Sequence, residues 1–113
     1  VTESLSYRYA GLVDDAIALL DKNSPDYQQQ VMNAIEEYAI EASIAKVYGS
    51  ETLFFVADES VQMLGGYGFI EEYPVAQTYR DCRINRIFEG TNEIMRVIIA
   101  RRMLESDAPD VIR

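Results

Sequence analysis

Apolar residues in this chain recur at three- and four-residue steps, the period of a helix rather than the alternation of a strand. Leu5, Tyr9, Leu12, Ala16, Leu19 and Leu20 fall on one stripe and predict a helix over residues 2–22. Asn23-Ser24-Pro25-Asp26 then reads as a stop and a restart. Ser24 can cap a following helix, Pro25 suits a first turn where its missing N–H costs nothing, and Asp26 puts negative charge at the positive end of the dipole. A second stripe, Val31, Ala34, Ile35, Tyr38, Ala42, Ala45, Tyr48, Val56 and Met63, predicts an unbroken helix over 25–64. Gly49 is its one soft spot, and a single glycine costs about 1 kcal/mol against alanine without ending a helix. Such a rod is roughly 60 Å long at 1.5 Å per residue and needs neighbours along its whole length.

Gly65-Gly66-Tyr67-Gly68-Phe69 ends the rod, since glycine enters the left-handed region cheaply. Glu72-Tyr73-Pro74 opens a short helix to about residue 84, with Val75, Tyr79 and Cys82 as its inner face. Residues 85–90 connect it to a last helix over 92–105, which Thr91 can cap. Ile94, Val97, Ile98, Ala100 and Leu104 are its apolar positions, and Arg101 and Arg102 complement its negative end. The fold class read from this pattern is all-α: an antiparallel, four-helix bundle-like domain over 1–105 with one very long helix, followed by a tail over 106–113.

Composition narrows the chemistry. Of 113 residues, 49% are apolar and 26% charged, with three prolines and six glycines, which suits a packed core and not a disordered tail. No histidine is present and Cys82 is the single cysteine, so zinc sites, histidine triads, Cys–His pairs and an internal disulfide are excluded in their usual forms, and no metal is expected. Cys82 reads as a small buried hydrophobe. No apolar run reaches the roughly 18 residues of a membrane span. The opening Val1-Thr2-Glu3, without an initiator Met, suggests a piece of something longer.

The net charge of −9 is uneven: residues 1–79 hold thirteen acids against three bases, residues 80–113 six acids against seven arginines. A chain this acidic repels phosphate, so nucleic acid is not an expected partner. Arg80, Arg83, Arg86 and Arg96 cluster in sequence, and two readings stay open: pairing with the acidic elements across the fold, or a local anion site.

Two stretches carry candidate chemistry. Gly65-Gly66-Tyr67-Gly68 is neither a P-loop nor a dinucleotide fingerprint, and serves either as a helix cap with a tight turn or as bare backbone against a flat or phosphorylated ligand. In Phe88-Glu89-Gly90-Thr91-Asn92-Glu93, Glu89 precedes a helix start, beside a glycine that admits a ligand. It is either an ordinary surface glutamate or a base. In the second case the helix dipole favours its charged form, while burial against Phe88 and an apolar ligand opposes it.

Several motifs in register carry a family resemblance. Glu41-Ala42-Ser43-Ile44-Ala45-Lys46, Gly49-Ser50-Glu51, Gln62-Met63-Leu64-Gly65-Gly66-Tyr67-Gly68-Phe69, Glu72-Tyr73-Pro74, Arg80-Asp81 and Arg86-Ile87-Phe88-Glu89-Gly90-Thr91-Asn92-Glu93-Ile94 together closely resemble the C-terminal helical domain of acyl-CoA dehydrogenases. The resemblance implies a flavoenzyme that desaturates an acyl-CoA thioester between its α and β carbons, a carboxylate taking the α proton while a hydride passes to FAD. Glu89 matches that base in members that place it in the Glu-Gly-Thr motif; others carry it on a different helix. Gly90 matches a position beside the substrate thioester, and the Glu89 backbone N–H one that binds the thioester oxygen. Thr91, Asn92 and Glu93 match contacts to FAD in the same subunit. Gln62, Met63, Leu64, Gly65 and Gly66 match a segment reaching the FAD of a neighbouring subunit. Arg80-Asp81 reads as structural.

The resemblance also implies acyl-CoA as substrate, electron-transfer flavoprotein as acceptor, a homo-oligomer (dimer or tetramer), and bacterial cytoplasm or mitochondrial matrix as compartment. The opening Thr2-Glu3-Ser4-Leu5-Ser6-Tyr7-Arg8 leans toward the very-long-chain-like branch. An N-terminal helical domain, a middle β domain and a long helix before Val1 would complete the family's pattern. The chain alone is therefore expected to be inactive and to self-associate through its uncovered face. An acyl-CoA oxidase-like flavoprotein and a non-catalytic helical oligomerisation module are the alternatives. The catalytic reading further expects Glu89 to face a cleft shared with the glycine bend.

Overall fold

The structure, a computed structural model, describes residues 1–106. It is all-helical among these residues, with six α-helices: α1 (Thr2–Ala18), α2 (Tyr27–Glu37), α3 (Ala39–Leu64), α4 (Gly66–Phe69), α5 (Pro74–Cys82) and α6 (Asn92–Ser106), and a 3₁₀ turn (Arg83–Arg86) between the last two. The tail expected from residue 106 lies, apart from Ser106 at the end of α6, outside the described residues. α3 is the axis: α1, α4, α5, α6 and the 3₁₀ turn all pack on it.

The expected 25–64 rod is two helices. Tyr38 leaves helical space at φ −94° and ψ 24°, and its N–H bonds back to the Ile35 carbonyl at 3.2 Å. No glycine or proline marks the spot, so local propensity does not signal it. α2 packs on α1, and α3 packs on α1 too before running on beneath α5 and α6. Gly49 lies inside α3 as ordinary helix, facing α1: a Cβ there would meet Thr2 Cγ2 at 3.7 Å, normal van der Waals contact. Ser24 does not cap α2; its hydroxyl accepts the Asp26 N–H at 3.4 Å and so closes the turn before the helix. α1 also stops earlier than expected, at Ala18.

Burial within the chain is thin. Ala57, Ala76 and Cys82 are its buried apolar residues, whereas Met63 is 85% exposed and Phe69 80%. Tyr48, Val56 and Met63, all on the expected apolar stripe of the rod, face outward from this chain. The radius of gyration is 19.1 Å, against about 13 Å for a self-contained domain of this size. This slab of 58 × 38 × 22 Å has apolar faces that ask for cover.

At the C-terminus of α3 the glycines divide their labour. Gly65 takes φ 57° as the cap, and its N–H bonds the Gln62 carbonyl at 3.2 Å. Gly68 is buried where α4 folds back on α3, and a Cβ there would fall 2.7 Å from the Val61 carbonyl oxygen and 2.9 Å from Val61 Cα. Gly66 has open space around it and no positive φ. Gly68→Ala therefore forces backbone apart and lowers stability by about 1–3 kcal/mol, while Gly66→Ala leaves it near wild type. Thermal unfolding of the two variants checks this; equal midpoints would refute it.

Candidate functional site

The head of α6 is fixed to α3 by polar contacts. Asn92, the first residue of α6, is 1% exposed, and every part of its amide is used. Its Oδ1 accepts from Lys46 Nζ at 2.7 Å; its Nδ2 donates to Ser50 Oγ at 2.9 Å and to Glu51 Oε1 at 3.0 Å. Ammonium donates only and carboxylate accepts only, so these partners settle which end of the amide faces which. Ser50 Oγ lies 3.1 Å from both the Val47 carbonyl and Asn92 Oδ1, and its one proton goes to one of these two acceptors. Lys46 and Ser50, four residues apart, lie one above the other on α3, and the longer Glu51 side chain reaches round from the adjacent position.

Glu51 carries the network outward. Arg86 from the 3₁₀ turn lies 3.2 Å from Oε1 and Arg96 from α6 lies 3.1 Å from it. Arg86 also stands 5.2 Å over the Phe54 ring, which in turn packs at 5.5 Å on Tyr79 of α5. The hydrogen bond from Asn92, aided by Arg96 and Arg86, holds the Glu51 carboxyl below its ordinary value of 4.5, against the contrary effect of partial burial. Arg80 meets Glu71 at 2.8 Å across the loop after α4. Three of the four clustered arginines are thus spent on carboxylates, which favours pairing over an anion site. Cys82 is buried as expected, and burial pushes its thiol pKa up, away from reactivity.

Glu89 and Gly90 form the turn before α6, at φ 54° and 93°. Glu89 is the one non-glycine residue with positive φ among those described, a strain of roughly 1–2 kcal/mol. Lys46 Nζ donates to the Gly90 carbonyl at 2.6 Å, tying the turn to α3. A Cβ on Gly90 would run into the terminal methyl of Met95. Thr91 caps α6 as expected, its Oγ1 accepting the Ile94 N–H at 3.3 Å. Glu89 lines a cavity of about 260 Å³ with Lys46, Gly49, Ser50 and Leu53 of α3 and with Phe88. Its carboxylate enters no ion pair among the described residues.

Gln62, Met63, Leu64, Gly65 and Gly66 are exposed at the far end of α3. Gln62 to Leu64 lie about 18–21 Å along the helix from Ser50 at 1.5 Å per residue. The glycine bend borders a separate cavity of about 690 Å³, lined by Val61, Gly68, Phe69, Ile70, Ala76 and Tyr79 among others. Among the described residues the cavity that Glu89 lines and the one beside the glycine bend share no lining residue, so the single cleft expected to join them is not what these two cavities form. Thr91 is half-buried and Glu93 exposed at the head of α6, but the Asn92 amide is spent internally, which leaves only its backbone for any ligand. Lys46, Ser50 and Glu51 stood in the sequence motifs without roles; a lysine set among apolar stripe residues was the signal available. No cluster of metal-ligating side chains occurs among the described residues.

Comparison with known proteins gives concordant findings. The family profile described as "Acyl-CoA dehydrogenase, C-terminal domain" matches residues 10–104. A Bacillus subtilis (strain 168) protein described as "Probable acyl-CoA dehydrogenase" is 50% identical over 103 residues, 91% of this chain and 17% of that protein. The very long-chain specific acyl-CoA dehydrogenase, mitochondrial, of Bos taurus is 42% identical over 100 residues, 88% of this chain and 12% of its own length. The crystal structure of an acyl-CoA dehydrogenase complexed with FAD from Bacillus anthracis superposes with a TM-score of 0.85 at 48% identity, covering 92% of this chain and 18% of that one. The chain thus spans less than a fifth of each of these relatives.

The Glu51 hub makes a pH prediction. Glu51 is held more acidic in the folded chain than in the unfolded one, so its stabilisation is full above pH 4.5 and is lost as the pH falls through the lower folded value. Glu51→Gln therefore melts below wild type at neutral pH, and the gap closes on acidification below 4.5. Thermal midpoints at stepped pH test this; a gap that stays constant into acid would contradict it.

Proposed function

The chain belongs to the acyl-CoA dehydrogenase family, as its C-terminal domain, and from that premise we propose that it supplies the base of a flavin-dependent α,β-desaturation of acyl-CoA thioesters. The observation that carries this reading is the left-handed Glu89–Gly90 turn, which sets an unpaired carboxylate on a cavity walled by α3. Glu89 removes the α proton. Gly90, lacking a side chain, lets the thioester approach to attack distance. The Glu89 backbone N–H donates to the thioester oxygen and stabilises the negative charge that develops there as the proton leaves.

Residues of this chain also fit a flavin. Gly65 and Gly66 offer backbone with nothing within 4 Å of a would-be Cβ, next to exposed Gln62 and Met63. Thr91 and Glu93 stand at the N-terminus of α6, which favours an anionic or polar edge. FAD, when bound, accepts the β hydride. Gln62, Met63, Leu64, Gly65 and Gly66 serve the flavin of a second copy, which accords with their distance from Glu89. Electron-transfer flavoprotein is the proposed acceptor, and a dimer or tetramer the working state. The mitochondrial very long-chain relative supports a long acyl substrate, and bacterial cytoplasm and mitochondrial matrix both accord with the relatives' names. No helix among the described residues is long and apolar enough to cross a membrane.

Glu89→Gln in the full-length flavoprotein is expected to keep FAD and to slow flavin bleaching by a saturated acyl-CoA by about 10²–10⁴-fold or more. Unchanged bleaching would favour the non-catalytic helical module. The 113-residue chain alone is expected not to reduce an acceptor dye with acyl-CoA; turnover by it would overturn the dependence on the rest of the enzyme.

A further inference from the structure

The strained turn that presents Glu89 does not hold itself. Glu89 and Gly90 are successive residues in the left-handed half of backbone space, and a side-chain-bearing residue stays there only where its surroundings over-determine it. The nearest external grip is Lys46, eight residues into α3. Its ammonium donates to the Gly90 carbonyl at 2.6 Å and to Asn92 Oδ1 at 2.7 Å, so one group spans the turn and the first residue of the following helix.

The grip is rigid at both ends. The lysine stem lies half-buried along α3 beside the cavity that Glu89 lines. The Asn92 amide cannot rotate, because Ser50 and Glu51 hold its other end and Arg86 and Arg96 hold Glu51. A methionine in place of Lys46 would fill the same space without donating to either oxygen.

Resting on the reading of Glu89 as base, we propose that Lys46 is its positioning residue, clamping the Gly90 carbonyl so that the carboxylate meets the substrate from a fixed direction. Lys46 does not touch the reacting carbons. It acts through the backbone of the turn, with the Asn92 amide as its anchor. Loss of the clamp lets the turn relax, and the carboxylate then samples directions from which the α proton is out of reach.

The test uses the full-length, FAD-loaded protein and compares Lys46→Met, Lys46→Arg and Glu89→Gln. Lys46→Met is expected to speed amide hydrogen exchange over residues 89–91 by about tenfold, with α1 and α5 unaffected. It should lower kcat for a saturated acyl-CoA by about 10²-fold at near-constant KM and FAD content. Lys46→Arg, which keeps donors at that site, should recover part of both. Wild-type exchange in the turn with wild-type kcat would overturn the proposal. So would an activity loss that merely follows loss of FAD and of thermal stability. If Glu89→Gln keeps full activity, the base reading fails on its own terms, while the exchange data still decide whether Lys46 holds the turn. If Glu89→Gln abolishes turnover and Lys46→Met changes neither readout, only the positioning role falls.

Discussion

One buried amide organises the working end of this domain. Asn92 sits at the start of α6 with almost no exposure, and three side chains of α3 surround it. An unpaired amide at that depth would be costly, so α6 can dock only where Lys46, Ser50 and Glu51 reach it together. That requirement fixes the rotation and register of α6 on α3 more sharply than apolar packing could. Apolar contacts tolerate sliding, whereas a donor set and an acceptor set facing one amide do not. The turn before α6 inherits the constraint, since its last carbonyl shares the Lys46 ammonium with that amide.

The polar clamp matters the more because the apolar core is slight. Ala57, Ala76 and Cys82 are small, and the larger apolar side chains of α3 and α4 lie at the surface. Burial of a large aliphatic or aromatic side chain is worth about 1.5–3 kcal/mol, and within this chain few such residues are fully covered. The domain therefore obtains its specificity from directional contacts and leaves its apolar faces exposed. The same economy shows at the other end of α3. Gly68 lets α4 lie directly on Val61, and Arg80 ties the following loop by its contact with Glu71.

Much of this was legible in the sequence. The helical period located every long element, and the glycine run and Thr91 marked the ends that the structure shows. The break at Tyr38 was not legible, since nothing in its own residues opposes a helix; only from Ala39 onward does the chain run beneath α5 and α6. Of the three glycines at the bend, the pattern could not say that Gly68 alone is needed for close packing, because that depends on where α4 lands. The sequence motifs pointed to Glu89, Gly90 and Thr91, but a motif cannot reveal that Asn92 faces inward. For that, the partners 41 to 46 residues earlier must be placed against it. Periodicity reports which face a helix buries. It is silent on which polar group from a distant helix is waiting there.

The separation of the two candidate surfaces along α3 has a structural consequence. Glu89 lines a cavity beside the first half of α3, and the glycine bend stands at its end, with its own apolar cavity. No motion of a turn brings the two together, because a continuous helix lies between them. If both take part in flavin chemistry, they serve different sites, and a single copy of the chain holds part of each. The exposed apolar side chains near the bend, Met63 and Phe69 above all, then belong to a surface that is covered when copies associate. Catalysis and assembly are on this reading two uses of one helix. Its first half anchors the Glu89 turn from within, and its last turn offers bare backbone to a neighbour. A substitution in the middle of α3 that bent the helix would therefore disturb both places at once.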